Sequence, residues 1–191
     1  MRYRKGHSED TRNRIIEIAS ARFREEGLAA LGIASVMAAA GLTHGGFYAH
    51  FESREDLVRE VVLHGLSQRN KRLVDSAREG AGIADIITSY LSARHRDTPG
   101  KGCTVATLGP EIGRHSDGTR QVFTEGVETF LRLLASHWLQ GTPEERYNRA
   151  IALYAMLIGT LLLARVTNDA AMSDQILSSG ARAAIELSAA P

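Results

Sequence analysis

Cysteine is almost absent from this sequence of 191 residues, in which Cys103 is the single example. One thiol cannot form a disulfide bond within the chain, which argues against a small secreted domain held by disulfides and favours a reducing compartment. The N-terminal residues are basic, but residues 6–14 are polar and do not form the apolar segment of a signal peptide. The sequence therefore predicts a cytoplasmic protein.

Proline is scarce as well, and the alternating pattern of a β-strand is missing. Apolar residues recur instead every four positions, as at Ile15, Ala19 and Phe23, which is the spacing of one helix face. We expect this first helix to begin after the capping residue Ser8 and to end at Gly27. Prolines and glycines divide the remainder into further helices, so the predicted fold class is all-α.

Charge of one sign is not in excess, since Lys and Arg total 23 and Asp and Glu total 22, for a net charge of +1. Residues 1–54 hold eight basic and six acidic side chains, which is a weak indication of a polyanionic partner. The stretch from Gly27 to Phe51 contains no Lys, Arg, Asp or Glu. Positive charge toward a polyanion must therefore come from residues that flank this stretch.

Motifs for catalysis and metal binding are also missing. The chain has no glycine-rich phosphate loop and no Gly-x-Ser-x-Gly elbow, and its histidines form no His-x-x-x-His pair. We therefore expect neither an enzyme nor a metal site, and no cofactor is implied. Cys103 follows Lys101 just before a predicted helix, which could lower the thiol pKa and suit a redox sensor. A small buried hydrophobe is the favoured alternative, because the chain holds no resolving cysteine.

One long apolar run lies between Ala150 and Ala164. A helix of about 15 residues spans about 22 Å, which is short of the roughly 30 Å hydrocarbon core of a bilayer. In a soluble protein such a helix must be covered on most sides, and Ala152, Ala155 and Gly159 would let another helix approach closely. We therefore expect a dimer interface here rather than a membrane span.

A helix-turn-helix is indicated just after the first helix. A short helix is predicted over Ile33–Ala40, with Gly41 as the left-handed residue that ends it and Thr43 as the cap of a second helix. The exposed positions of that second helix carry hydroxyls, imidazoles and glycines. Hydroxyls and imidazoles can bond phosphate oxygens and base edges, and glycines let the backbone come close to DNA. The core is expected to hold the neighbouring apolar residues Val36, Phe47, Phe51 and Leu57.

The sequence from Thr11 to Leu57 resembles the TetR (tetracycline repressor) family of bacterial regulators. The likeness rests on Ala-Gly-Leu-Thr at residues 40–43, Gly-x-Phe-Tyr-x-His-Phe at 45–51 and Ser-Arg-Glu-x-Leu at 53–57. It implies an N-terminal three-helix helix-turn-helix DNA-binding domain over residues 1–53. It also implies a larger C-terminal helical domain over residues 54–191, for ligand binding and dimerisation.

The resemblance further implies that the helix beginning at Thr43 enters the major groove of DNA. Thr43, Tyr48 and His50 would touch phosphate, His44, Gly45 and Gly46 would lie nearest the bases, and Arg54 would face the DNA backbone. The chain departs from the family in two ways, since Gly32 stands where threonine is frequent and the recognition helix has no Lys or Arg to read guanine. Positive charge is expected instead from Arg4, Lys5, Arg12, Arg14 and Arg54.

A small-molecule effector is also implied, bound among the middle helices from about Leu57 to Trp138. Apolar and polarisable side chains are typical of such a cavity. The candidate ligand-binding residues are His64, Tyr90, Cys103 and Phe123.

The predicted function is a ligand-responsive DNA-binding transcriptional regulator, a repressor released from a pseudo-palindromic DNA operator by a small molecule. Helices over Pro143–Thr167 and Ser173–Ala189 would pair two chains into a homodimer, whose two heads read half-sites about 34–36 Å apart. The alternative is a helical small-molecule-binding or protein-interaction module that does not bind DNA. Operator affinity is expected to rise as the pH falls through about 6.5, because the protonated imidazoles of His44 and His50 would attract phosphate.

Overall fold

The computed structural model of the protein describes residues 5–189, and all regular structure in that range is helical. The prediction of an all-α fold is confirmed. The α-helices are α1 (Lys5–Glu26), α2 (Ile33–Ala39), α3 (Arg54–Arg78), α4 (Ile83–Tyr90), α5 (Ala93–Asp97), α6 (Thr104–Ile112), α7 (Asp117–Trp138), α8 (Pro143–Val166) and α9 (Ala170–Ala189). Two 3₁₀ helices cover His44–Ala49, which we call the recognition segment, and Pro99–Lys101.

The N-terminal helices pack around the apolar residues that the sequence assigned to a core. Val36, Phe47 and Phe51 are all buried, and Phe47 and Phe51 stack with ring centroids 5.3 Å apart. Gly27 and Gly41 adopt φ angles of 87° and 70°, which only glycine tolerates easily. The predicted helix ends and the turn between the two helices are therefore confirmed.

Two predicted caps are wrong. Ser8 lies inside α1, which already includes Lys5. Thr43 has the extended backbone of a capping residue, but its side chain accepts no capping hydrogen bond, and the segment that follows is a 3₁₀ helix. Adjacent glycines at 45 and 46 disfavour an α-helix, and so short a segment can close with the tighter turn instead.

Helix α3 joins the N-terminal helices to the rest of the molecule. The Ser53 side chain caps α3 by accepting from the Asp56 amide at 3.1 Å, while the Asp56 carboxylate accepts from the Glu52 amide at 3.2 Å. The later turns of α3 pack against α7. The approach is close enough that a Cβ on Gly126 would lie 2.6 Å from a Leu66 methyl carbon, so only glycine fits there.

Helix α8 is apolar on two opposite sides. Leu153, Leu157 and Leu161 are buried against the protein, whereas Leu163 and Val166 are 57% and 70% exposed. The helix continues past the apolar run to 24 residues, so length alone does not exclude a membrane span, and the preference for a dimer interface stays a prediction. By length and composition it is the one helix in residues 5–189 that could span a bilayer. Packing against α6, α7 and α9 nevertheless covers one of its sides.

The last helix also differs slightly from its predicted bounds. Helix α9 begins at Ala170 rather than at Ser173. The Asp169 carboxylate accepts from the Met172 amide at 2.7 Å, and this interaction supports the earlier start.

Candidate nucleic-acid interface and effector cavity

The recognition segment presents its polar side chains to solvent, while its Phe47 side chain is buried in the core. Thr43, His44 and Tyr48 are exposed, and Tyr48 keeps 65% of its surface accessible. His50 and Gly46 are partly exposed, and Gly45 is exposed. These six positions, singled out from the sequence, thus come together on one short stretch of accessible surface.

Neither glycine of the recognition segment is required by the protein itself. Gly45 and Gly46 do not have positive φ angles. A Cβ added to Gly45 would meet no atom within 4 Å, and one added to Gly46 would make only ordinary contacts with Met37 and Thr43. An approach by something outside the chain would explain glycine at both positions.

Arginine side chains fasten the helix-turn-helix through backbone carbonyl oxygens. Arg14 Nη2 donates to the oxygen of Ala40 at 2.7 Å, at the end of α2. Arg12 Nε donates to the oxygen of His50 at 3.3 Å, and its guanidinium also pairs with Glu60 at 3.1 Å. These two guanidiniums therefore stabilise the ends of the two short helices.

Arg54 is placed differently from the prediction. Its guanidinium donates to the oxygens of Leu28 and Leu31 and lies 5.9 Å from the centroid of the Phe23 ring. In this structure it holds the loop after α1 instead of facing outward, because that loop has carbonyl oxygens which no helix satisfies. Arg4 and the side chain of Lys5 lie outside the described part of the chain.

A cavity of about 710 Å³ lies between α1, α3, the end of α4 and residues 92–103. His64, Tyr90 and Cys103 line it, as the sequence analysis expected of ligand-binding residues. Phe123 lines neither this cavity nor its smaller neighbour of about 320 Å³, and is half-buried on α7 against the core. The two cavities adjoin, because Tyr90 lines both.

Cys103 is buried in the cavity wall beside groups that affect its thiol. Its Sγ lies 3.4 Å from the Tyr154 hydroxyl, which also accepts from Arg69. Desolvation raises the pKa of Cys103, but the positive charge of Arg69 and the bond from Tyr154 outweigh it and bring the pKa below its ordinary value. Desolvation and the nearby Cys103 raise the pKa of both tyrosines, Tyr90 and Tyr154.

His95 is held in its neutral form at the edge of the same cavity. Its Nε2 accepts from the Cys103 amide at 3.0 Å. Its Nδ1 therefore carries the proton, which it donates to the backbone carbonyl oxygen of Tyr90 at 2.7 Å. Burial lowers the pKa of His95 more than the bond to Tyr90 raises it, and the charges of Arg165 and Arg72 lower it further. The imidazole therefore fixes the chain near Cys103 as a neutral group.

Two carboxylates connect the cavity region with the N-terminal helices. Glu111, at the end of α6, accepts from the amides of Leu28 and Ala29 at 3.1 and 2.9 Å. Helix α6 begins beside the cavity directly after Cys103, so it reaches from the cavity wall to the loop that follows α1. Helix α6 is therefore a continuous physical connection between the cavity wall and that loop.

The second connection is made by Glu55 in the first turn of α3. Its carboxylate accepts from the hydroxyls of Ser116 and Thr119, both at 2.7 Å, and from the Ser116 amide at 3.1 Å, and lies 2.7 Å from His115 Nδ1. Desolvation raises the pKa of Glu55, but these hydrogen bonds together lower it by more, so that the pKa is about 2. The charged carboxylate thus ties α3 to the start of α7.

Comparison with known proteins agrees with this architecture. Residues 15–61 match the model of the bacterial regulatory proteins of the tetR family. The HTH-type transcriptional repressor DhaR of Mycobacterium sp. (strain GP1) is 24% identical over 180 residues, covering 87% of this chain and 88% of DhaR. This chain belongs to the TetR family of transcriptional regulators.

Solved structures extend the likeness of this TetR-family regulator beyond the matched region. Reduced NemR from Escherichia coli superposes with a TM-score of 0.78 at 21% identity, covering 95% of this chain and 98% of NemR. A TetR-family regulator from Cytophaga hutchinsonii gives a TM-score of 0.77 at 20% identity, covering 99% and 100% of the two chains. At these identities the agreement concerns the fold.

Two residues at the cavity were not singled out from the sequence: Arg69, which lines it, and Tyr154, whose hydroxyl contacts the lining residues Arg69 and Cys103. A signal for Arg69 was present, because it stands three residues after Leu66 and four before Leu73, on the buried face of α3. A charged residue at such a position needs buried partners. Tyr154 lies within an apolar run, and nothing in its spacing distinguishes it from a core residue.

Proposed function

We propose that this TetR-family regulator is a ligand-responsive repressor, which binds a pseudo-palindromic DNA operator as a homodimer and is released by a small molecule. The observation that carries the proposal is the accessible, uncharged recognition segment, with one arginine–carbonyl bond at its C-terminal end and another at the end of the preceding helix α2. A rigidly held helix end with exposed hydroxyl and imidazole groups suits the major groove. The alternative, a helical module that does not bind DNA, leaves the accessible glycines unexplained.

Within this proposal, residues 1–53 form the DNA-binding domain and residues 54–191 the effector-binding and dimerisation domain. Thr43, Tyr48 and His50 contact phosphate, because their polar groups are accessible and the Thr43 hydroxyl is not used as a cap. His44, Gly45 and Gly46 lie nearest the bases. Arg54 acts indirectly, by holding the loop after α1.

The homodimer is proposed to form through α8 and α9. Ala152, Ala155, Gly159, Leu162 and Val166 recur at the three- and four-residue spacing of a helix face, and α8 leaves this face open. Exposed apolar area of this kind is typical of a subunit interface. Two heads related by a two-fold axis would then reach half-sites about 34–36 Å apart.

Oligomeric state tests the interface. We expect Leu163→Arg to convert the dimer into a monomer on light scattering, because exposed Leu163 borders this face and a charge there would be buried in the interface. Leu63→Arg is the matched control, since Leu63 is similarly exposed but lies on α3. A wild-type chain that is monomeric at micromolar concentration, or a Leu163→Arg variant that stays dimeric, would contradict the proposal.

Operator binding tests the function itself. The DNA that flanks the gene of this protein is used in a gel shift with titrated salt, where a specific complex with a steep salt dependence is expected. Tyr48→Phe removes one hydroxyl from each of the two heads and should weaken binding by roughly 30-fold, corresponding to two hydrogen bonds of about 1 kcal/mol each. Tyr147→Phe on α8 is the control and should bind as the wild type does. Absence of any complex at low salt would favour the alternative module.

A further inference from the structure

The larger cavity is lined by an unusual excess of positive charge. Arg69 and Arg24 lie in its wall, Arg72, Arg94 and Lys101 stand at its more exposed positions, and Glu17 is the one carboxylate among the lining residues. Within residues 5–189, the side chains of Arg72, Arg94 and Lys101 form no ion pair. Charges of one sign around a low-dielectric cleft attract a ligand of the opposite sign.

Two polar atoms in the wall also lack a normal hydrogen-bond partner. Arg69 Nε is buried and has no hydrogen-bond partner among the described residues. The buried Tyr90 hydroxyl lacks a partner of normal hydrogen-bond geometry and interacts with the Cys103 thiol, which is a weak hydrogen-bonding group. A buried polar group without a partner is costly, and a ligand that bonds to it removes that cost. Tyr90 lines both cavities and Arg69 does too, so both groups lie at the junction of the two.

The smaller cavity differs in character from the larger one. Its volume is about 320 Å³, and the residues that it does not share with the larger cavity are mostly apolar: Leu73, Ala81, Ile86 and Phe130, together with Ser76 and Asp85. The Asp85 carboxylate is occupied by the Gly82 amide, from which it accepts at 2.9 Å. It shares Arg69, Arg72, Ser89 and Tyr90 with the larger cavity. An apolar chain can therefore lie in the smaller cavity while a charged group attached to it remains among the arginines.

From this arrangement we infer that the effector is an organic anion with an apolar tail, such as an alkyl carboxylate. Its carboxylate is held by Arg69, Arg72 and the Tyr90 hydroxyl, and its tail fills the space beside Ile86 and Phe130. The inference rests on the proposed ligand-responsive function, because it identifies the chemical class that occupies the same site.

Binding of an anion here reaches the DNA-binding helices directly. Helix α1 contributes Arg24 to the wall, and Arg24 Nε and Nη2 donate to the Gly100 oxygen at 3.0 and 2.5 Å. An anion held by Arg69 and Arg72 attracts the Arg24 guanidinium, which lines the same cavity, and so weakens its hold on Gly100. Burial, and next the charge of Arg72, lower the pKa of Arg24, in keeping with this placement of the two side chains.

The test measures binding of octanoate to the full chain by calorimetry at constant ionic strength and without DNA. Three compounds are compared with it: octanol, which lacks the charge, octylamine, which has the opposite charge, and acetate, which lacks the apolar tail. We expect octanoate to bind at least tenfold more tightly than each of them. Equal binding of octanol or octylamine would overturn the anionic class, and equal binding of acetate would overturn the role of the tail.

Variants locate the site. Arg72→Gln should weaken octanoate binding by at least about tenfold, as expected for a lost bond to a charged group. Arg78→Gln removes the same charge from the same helix outside the cavity and should bind octanoate normally. If Arg72→Gln binds octanoate as the wild type does, the site is elsewhere. If Arg72→Gln does not fold, Tyr90→Phe gives a second measurement: it removes the hydroxyl proposed to bind the carboxylate and should also weaken octanoate binding.

Release of DNA is measured separately with the operator complex of the wild-type protein. Octanoate should weaken operator binding, whereas octanol at the same concentration should not. Octanoate that binds the free protein but leaves operator affinity unchanged would overturn its role as an effector. A protein that binds no DNA even without octanoate contradicts the proposed function. The calorimetric measurement on the free protein then still decides whether the cavity binds an organic anion.

Discussion

In the N-terminal helices, arginine side chains are occupied by the protein itself, whereas around the larger cavity several are left unpaired. Arg14 and Arg54 donate to carbonyl oxygens of α2 and of the loop after α1. Arg72 and Arg94 line the cavity and face no carboxylate partner among residues 5–189. The same residue type therefore positions backbone in one region and creates an attractive field in the other.

This difference indicates how each region recognises its partner. In the proposed function the recognition segment, which holds no Lys, Arg, Asp or Glu, discriminates DNA by its hydroxyls, imidazoles and accessible glycines, while Arg12 bonds the end of the segment. The larger cavity instead has an excess of positive charge among its lining residues. Neutral groups at fixed positions suit the reading of base edges, and unpaired cations suit the capture of a diffusing anion.

The largest effect on stability is expected at Arg54, whose substitution tests most directly whether the N-terminal arginines are occupied by the protein itself. Arg54→Ala should lower the free energy of unfolding by about 2 kcal/mol, because bonds from a charged group contribute about 1.5–3 kcal/mol. Urea denaturation measures the change, and exposed Arg78→Ala should change stability by less than about 0.5 kcal/mol. If Arg54→Ala is as stable as the wild type but binds operator poorly, Arg54 contacts DNA after all.

A smaller effect is expected at Glu111, which links α6 to the loop after α1. Glu111→Ala removes the acceptor of the Leu28 and Ala29 amides and should cost about 1 kcal/mol. Hydrogen exchange at these two amides should then become several-fold faster, while amides inside α7 keep their protection. Unchanged exchange at Leu28 and Ala29 would mean that the carboxylate does not hold the loop in solution.

The smallest effect is expected at Glu55, and it should depend on pH. Because the pKa of Glu55 is about 2 in the folded protein and ordinarily 4.5, its stabilising contribution is present above about pH 4.5 and is lost as the pH falls toward 2. The carboxylate is 38% exposed, so solvent screening keeps the contribution below about 1 kcal/mol.

Thermal denaturation between pH 3 and 6 checks this expectation. The melting temperature of Glu55→Gln should lie below that of the wild type at pH 6, and the gap should narrow at pH 3. Glu186→Gln, at an exposed position of α9, should show no such narrowing. A gap of constant size across this range would show that the charge of Glu55 contributes nothing.

Much of the N-terminal region could be predicted from local sequence. Gly27 and Gly41 end helices because glycine adopts positive φ cheaply, and Phe47 and Phe51 are buried as their spacing indicated. The capping role expected of Thr43 failed because capping preference is only a tendency, which the two following glycines overrode by shortening the helix. Phe123 was misjudged as a cavity residue because composition cannot tell a cavity wall from a core.

By itself, the sequence determined the all-α class, most helix ends and the accessible chemistry of the recognition segment, because these follow from the spacing of apolar residues and from backbone preferences of single residues. Only the tertiary structure decided which arginines donate to backbone carbonyl oxygens and which line the cavity without an ion pair. Arg54 reaches a partner 26 residues away, Arg24 one 76 residues away and Glu111 one 83 residues away. Long side chains of one type look alike in a sequence, and their roles are set by what the folded backbone places within reach.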